Sequence, residues 1–139
     1  KYDFTPKIDF ETNATLMPNP RWHDELGATF TTSPKLTTNG DPESKTYKPE
    51  VLKYHREIGS GFKFVINDPD ADIKEIWNKY VEDEHGINVP RERIWFMPCA
   101  GSREEHIENA IAVVEYAKAM HVHFSPRLHL LVWNMALKV

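Results

Sequence analysis

Five short apolar runs with strand character alternate along this chain with three longer runs of helical spacing. Lys7 to Thr12, Ala28 to Ser33, Phe62 to Asn67 and Arg93 to Pro98 read as strands, and a fifth is spread over Val122 to Trp133 with a break near Pro126. Tyr47 to Ile58 carries Pro49 in its first turn, stops at Gly59, and offers Val51, Leu52, Tyr54 and Ile58 as a buried stripe. Asp68-Pro69 opens a second helix, in which Ile73, Ile76, Trp77, Tyr80 and Val81 follow the i, i+3, i+4, i+7, i+8 rule and Gly86 marks the end. The longest helix runs from Ser102 to about Met120, with Ser102 and Glu105 in a capping-box pattern ahead of Ile107, Ala110, Ile111, Val114 and Ala117. Trp77 and Trp95 fall on core stripes by the same periods.

Strands that lead directly into helix starts are the βα rhythm of a mostly parallel sheet, so the fold class is α/β. Such folds gather ligands at the carboxyl ends of their strands. Those positions hold Glu11-Thr12-Asn13, Ser33-Pro34-Lys35, Asn67-Asp68 and Cys99-Ala100-Gly101-Ser102. The stretch between the first two strands and the stretch Leu36 to Thr46 are rich in Pro, Asn, Thr and Gly and read as loops.

Composition narrows the function classes. A length of 139 residues with 40% apolar content suits one domain with a core of its own. The net charge of -4 provides no basic field for a phosphate backbone, so no nucleic-acid partner is expected. No apolar run approaches the roughly 20 residues needed to cross a bilayer, and no signal-peptide pattern opens the chain, which sets a cytoplasmic expectation without a membrane partner. The chain starts at Lys1 and enters a strand almost at once, which suggests the back end of something longer. Cys99 is the single cysteine, so the chain cannot by itself form a multi-cysteine metal or iron-sulfur site.

Arg127 and His129 interrupt an otherwise apolar run. On a strand, two residues apart, they share a face and can hold an anionic, hydrogen-bonding ligand; the other reading is an edge strand with a solvated polar face. Ser33-Pro34-Lys35 also reads as a plain strand end turning into a loop. His121 and His123 would share a strand face as a metal pair, completed by Glu11 or Asp68, yet they stand at the start of the strand, away from the ligand end. Cys99 is a nucleophile only with a base beside it, and otherwise a buried thiol. Glu75, Glu82, Asp83 and Glu84, with Arg91-Glu92-Arg93, read as solvated charge.

Taken in order, Asp9-Phe10-Glu11-Thr12-Asn13-Ala14-Thr15, Thr31-Thr32-Ser33-Pro34-Lys35, Phe62-Lys63-Phe64-Val65, Met97-Pro98 and Ser125-Pro126-Arg127-Leu128-His129 form a series of landmarks. In these the chain resembles the carboxy-terminal part of the 7-carboxy-7-deazaguanine synthase family, radical S-adenosylmethionine enzymes of queuosine and 7-deazapurine biosynthesis. The resemblance implies a partial (β/α) barrel of about five strands and three helices, a single domain over residues 1–139 without the amino-terminal cluster-binding part. It further implies reductive cleavage of S-adenosylmethionine at a [4Fe-4S] cluster, hydrogen abstraction from 6-carboxytetrahydropterin, and a Mg2+-assisted ring contraction. By analogy Thr12, Asn13, Ser33 and Lys35 meet S-adenosylmethionine, while Glu11, Arg127 and His129 meet the substrate. No residue is assigned a catalytic or metal-ligating role.

The chain also departs from the family. Its three-cysteine motif and its Gly-Gly-Glu-Pro motif lie upstream of the matched region and are absent here. Ala14, Ala100 and the Asn134 of Trp133-Asn134-Met135-Ala136 stand at positions where the family usually has glycine. The expectation is therefore a portion that is inactive alone, its open sheet edges covered by self-association in a homodimer. The alternative is a non-catalytic half-barrel module for a nucleotide-like or anionic ligand, and a third reading is an activase-type radical protein.

Overall fold

The structure, a computed structural model, describes residues 7–82 and 86–134. Five parallel strands lie side by side in chain order: β1 (Asp9–Thr12), β2 (Thr29–Thr32), β3 (Gly61–Ile66), β4 (Ile94–Pro98) and β5 (His123–Phe124). The connections carry α1 (Pro20–Asp24), α2 (Glu43–Thr46), α3 (Pro49–Glu57), α4 (Pro69–Ile76) and α5 (Arg103–Met120), and α6 (Leu128–Trp133) follows the last strand. A π-helical turn over Trp77–Val81 extends α4.

Alternation along the strands decides what each face does. Phe62, Phe64 and Ile66 of β3 are buried, as are Ile94, Phe96 and Pro98 of β4, and the register pairs them Phe62 with Ile94, Phe64 with Phe96 and Ile66 with Pro98. The helices supply Val51, Leu52, Ile73, Ile76, Val113 and Ala117 to the same cluster. Each such Phe, Leu or Ile contributes about 1.5–3 kcal/mol when fully buried.

The second face carries the intervening residues. Gly61, Lys63, Val65, Trp95 and Met97 are half-buried there, and Asp9, Glu11 and Thr29 are exposed toward the β1 edge. Trp95 thus leaves the helix-covered core on which its period placed it. Its ring stacks on His123, with centroids 4.8 Å apart and planes 21° apart, and it crosses Gly61 so closely that a Cβ there would lie 3.0 Å from Trp95 Cζ3. Trp77 is likewise only half-buried, with the Arg91 guanidinium 4.9 Å from its ring centre.

Several expectations are corrected. The fifth strand stops at Phe124, and Arg127 and His129 are not on a strand. Ser125 N still donates to Phe96 O (2.8 Å), but Pro126 has no N–H to continue the ladder, and the Leu-rich segment beyond it turns helical with Arg127 as its N-cap. His121 caps α5 in the left-handed region (φ 55°), so it shares no strand with His123. The two expected loops contain α1, a 3-10 turn at Thr37–Asn39 and α2.

The long helix keeps its cap, with Ser102 Oγ accepting from Glu105 N (3.2 Å), but turns a different face inward. Its buried residues are His106, Val113 and Ala117, whereas Ile107 and Ile111 are 54% and 70% exposed. Apolar residues on both sides of this helix leave its inward face undetermined by periodicity. Charges expected to be solvated are in part structural: Glu75 accepts from Thr37 N and Lys79 Nζ (both 3.0 Å), and Arg93 donates to Arg56 O (2.9 Å). Asp83, Glu84, Met135 and Ala136 lie outside the described residues.

Two measurements check this packing. His55 on α3 is fully buried with Nδ1 3.0 Å from Ser60 Oγ, and burial pushes its pKa down to about 4. The unfolded imidazole, titrating near 6.5, then binds a proton that the folded one refuses, so this contribution to stability is complete above pH ~6.5 and lost as the pH falls toward 4. Urea midpoints at pH 7 and pH 5 are expected to differ less in His55→Phe than in the parent; an equal difference would refute the burial. Gly61→Ala is expected to cost about 1–3 kcal/mol by displacing Trp95. A tryptophan emission shift should accompany that loss, and an unchanged spectrum and melting point would contradict the contact.

Candidate functional site at the carboxyl edge of the sheet

All five strands end on the same edge because all are parallel. At the end of β1, Thr12 Oγ1 accepts from Ala14 N (3.1 Å), while Asn13 Oδ1 accepts from Thr15 N (3.2 Å) and Thr15 Oγ1 (2.8 Å). These bonds fold the chain into a tight turn that holds Ala14, wholly buried, at φ 56°. The Asn13 amide nitrogen has no partner among the described residues.

Ser33 joins this turn directly, its N donating to Thr12 O (2.6 Å). Pro34 and Leu36 are buried on either side of Lys35 and anchor it. Lys35 itself is exposed and has no ion-pair partner among the described residues. Glu11, Thr12, Asn13, Ser33 and Lys35 are therefore gathered at adjoining strand ends.

Arg127 and His129 lie at the same edge but beyond β5, with β3 and β4 between them and β2. That is three strand spacings, about 14 Å along the sheet. Arg127 donates to Ala100 O, and His129 is exposed in the first turn of α6. Both act on His106, a buried histidine of α5 whose Nδ1 lacks a hydrogen-bond partner. Its pKa is lowered, chiefly by burial and then by the charges of Arg127 and His129.

Between these groups the edge is internally satisfied. Asp72 is buried and accepts from Asn67 N (2.7 Å), Asp68 N (3.0 Å) and Thr38 Oγ1 (2.6 Å). At the start of α5, Glu105 accepts from Gly101 N (2.7 Å) and Asn134 from Arg103 N (2.8 Å), which leaves those amides unavailable to an anion. Cys99 is half-buried, and its carbonyl accepts from Asn109 Nδ2 (2.7 Å).

On the second face Glu11, expected to meet the substrate, has a partner to which the sequence analysis gave no role, Lys63. Lys63 reaches over β2 to Glu11, Nζ to Oε1 2.8 Å, with the Lys63 side chain 19% exposed and that of Glu11 68% exposed. Together with Thr31, Gly61, Trp95 and Ser125 they line a cavity of about 400 Å³. The available signal was parity: a lysine between two core phenylalanines on a strand must face away from them. Among the described residues no group of three or more His, Cys, Asp or Glu is arranged to hold a metal ion, and no helix is long and apolar enough to cross a membrane.

Comparison with known proteins finds similar sequences. No family model matches the chain, and no solved structure matches it significantly. A 7-carboxy-7-deazaguanine synthase of Pyrobaculum aerophilum is 30% identical over 129 residues, covering 93% of this chain and 53% of that protein. The protein of the same name from Hyperthermus butylicus is 29% identical over 131 residues, with shares of 91% and 53%. The chain thus spans about half the length of the curated relatives it matches. The motif resemblance is borne out to that extent: along nearly all of its length this chain is similar to 7-carboxy-7-deazaguanine synthases.

Proposed function

We propose that this chain is the carboxy-terminal part of a radical S-adenosylmethionine enzyme of the 7-carboxy-7-deazaguanine synthase type, a single domain whose five strands form one wall of a partial (β/α) barrel. The observation that carries the reading is the sheet: strands in unbroken chain order, all parallel, with helices on one face only among the described residues. Doubly wound folds reverse strand order and cover both faces with helices, whereas a singly wound barrel does neither. Similarity to the two synthases supplies the reaction class.

In this reading Lys35 and Ser33 hold the carboxylate and ribose side of S-adenosylmethionine, and Asn13 offers its unpartnered amide beside them. Thr12, whose hydroxyl is engaged at Ala14 N, shapes the turn that positions Asn13. Glu11, Arg127 and His129 orient 6-carboxytetrahydropterin, with the guanidinium suited to its carboxylate. S-adenosylmethionine supplies the hydrogen-abstracting group when it is bound. The [4Fe-4S] cluster does not fit this chain, because one cysteine cannot provide three thiolates. The chain alone is therefore inactive, and Mg2+ is assigned no ligand from its described residues. The same reading places it in the cytoplasm.

Calorimetric titration of the chain with S-adenosylmethionine is expected to show saturable binding that Lys35→Ala weakens by about tenfold or more. Binding of 6-carboxytetrahydropterin should weaken similarly in Arg127→Ala. Flat titrations of a protein folded by circular dichroism would overturn these assignments. Self-association belongs to the reading too, since among the described residues β1 is an edge strand without a second neighbour, and Ile107, Ile111, Leu128, Val132 and Trp133 are exposed on α5 and α6. Light scattering is expected to give a homodimer, and a monodisperse monomer would contradict it.

A further inference from the structure

Lys63 is the only lysine or arginine within the five strands, and the alternation that buries Phe62 and Phe64 among the helices puts it on the open face. Thr32 pairs with Phe62, so Lys63 stands one residue further on, level with Ser33 and close to the carboxyl edge. Glu11, Thr31 and Gly61 form one row across β1, β2 and β3. From the Ser33 level the Lys63 side chain reaches back over this row, where Thr31 is small and Gly61 has no side chain, to place Nζ 2.8 Å from Glu11 Oε1.

The two ends of this pair are unequally placed, the Lys63 side chain being 19% exposed and that of Glu11 68% exposed. An ion pair with one partner mostly in water adds little to stability, and ordering a lysine side chain costs entropy. Stability therefore does not account for the arrangement. Its geometric effect is larger. The bond engages Oε1 and fixes how the carboxylate is turned, while Oε2 accepts no hydrogen bond among the described residues. Both residues line the cavity of about 400 Å³ on this face. An ionised carboxylate only accepts, so Glu11 held in this way presents one oxygen to an N–H of a ligand.

We propose that Lys63 is a positioning residue of the substrate site: its ammonium fixes the Glu11 carboxylate so that the second oxygen meets an N–H of the pterin ring. The inference rests on the assignment of Glu11 to 6-carboxytetrahydropterin. Lys63 acts through Glu11 and does not itself touch the substrate.

The test is a double-mutant cycle on the folded chain, read by calorimetric titration with 6-carboxytetrahydropterin and separately with S-adenosylmethionine. Lys63→Met keeps the length of the side chain and removes its charge. Glu11→Gln and Lys63→Met are each expected to weaken pterin binding by about tenfold, and the double variant by about tenfold rather than about a hundredfold. Lys63→Arg, which keeps the charge, should stay within about threefold of the parent. Affinity for S-adenosylmethionine should be unchanged throughout, which a general loss of structure would not allow. Undiminished pterin binding in Lys63→Met, additive losses in the double variant, or an equal loss of S-adenosylmethionine affinity would each overturn the role of Lys63, and the Glu11 assignment would still stand on the loss in Glu11→Gln. No pterin binding by the folded parent, or full binding by Glu11→Gln, would overturn both.

Discussion

A parallel sheet has two faces to cover, and crossover helices that all pass on one side can cover only that side. In this chain the helices take the Phe62, Phe64, Ile66, Ile94 and Phe96 face, and the rest of the architecture follows from what remains. The uncovered face is neither a solvated surface nor a second core: Val65, Met97 and Trp95 sit half-buried beside the Lys63–Glu11 pair. On that face apolar bulk and a few oriented charges share one space. The covered face fixes the strands, the strands fix the edge, and the edge gathers the groups assigned to ligands.

The turns at that edge hold two residues other than glycine in left-handed backbone. Ala14 and Asn134 both adopt positive φ, 56° and 55°. A side chain in the left-handed region costs about 1–2 kcal/mol. At the first site the cost is offset by burial of the Ala14 methyl and by the Thr12 and Asn13 bonds that close the turn; at the second, Asn134 gains a bond to Arg103 N.

Much of this was legible in residue order. The alternation in Phe62-Lys63-Phe64-Val65-Ile66 admits one reading, and Ser102 with Glu105 marks a helix start that the structure keeps. The inward face of α5 was not legible, because Ile107 and Ile111 compete with Val113 and Ala117 for the core and only tertiary packing chooses between them. Nor was the fate of Arg127 and His129: a spacing of two fits a strand, but Pro126 ends the ladder and leucines favour helix after it. At the candidate site, the position of Ser33 and Lys35 just after β2 could be read because strand ends follow from strands. Lys63 with Glu11, and His55 with Ser60, are pairings that no local pattern announces.

The division of the sheet into a helix-covered face and an open one is the claim on which every assignment rests, and hydroxyl-radical footprinting tests it most directly. Normalised to intrinsic reactivity, Met97 and Trp95 are expected to oxidise well ahead of their strand neighbours Phe64 and Phe96. Equal protection of all four, or faster oxidation of the phenylalanines, would contradict the account.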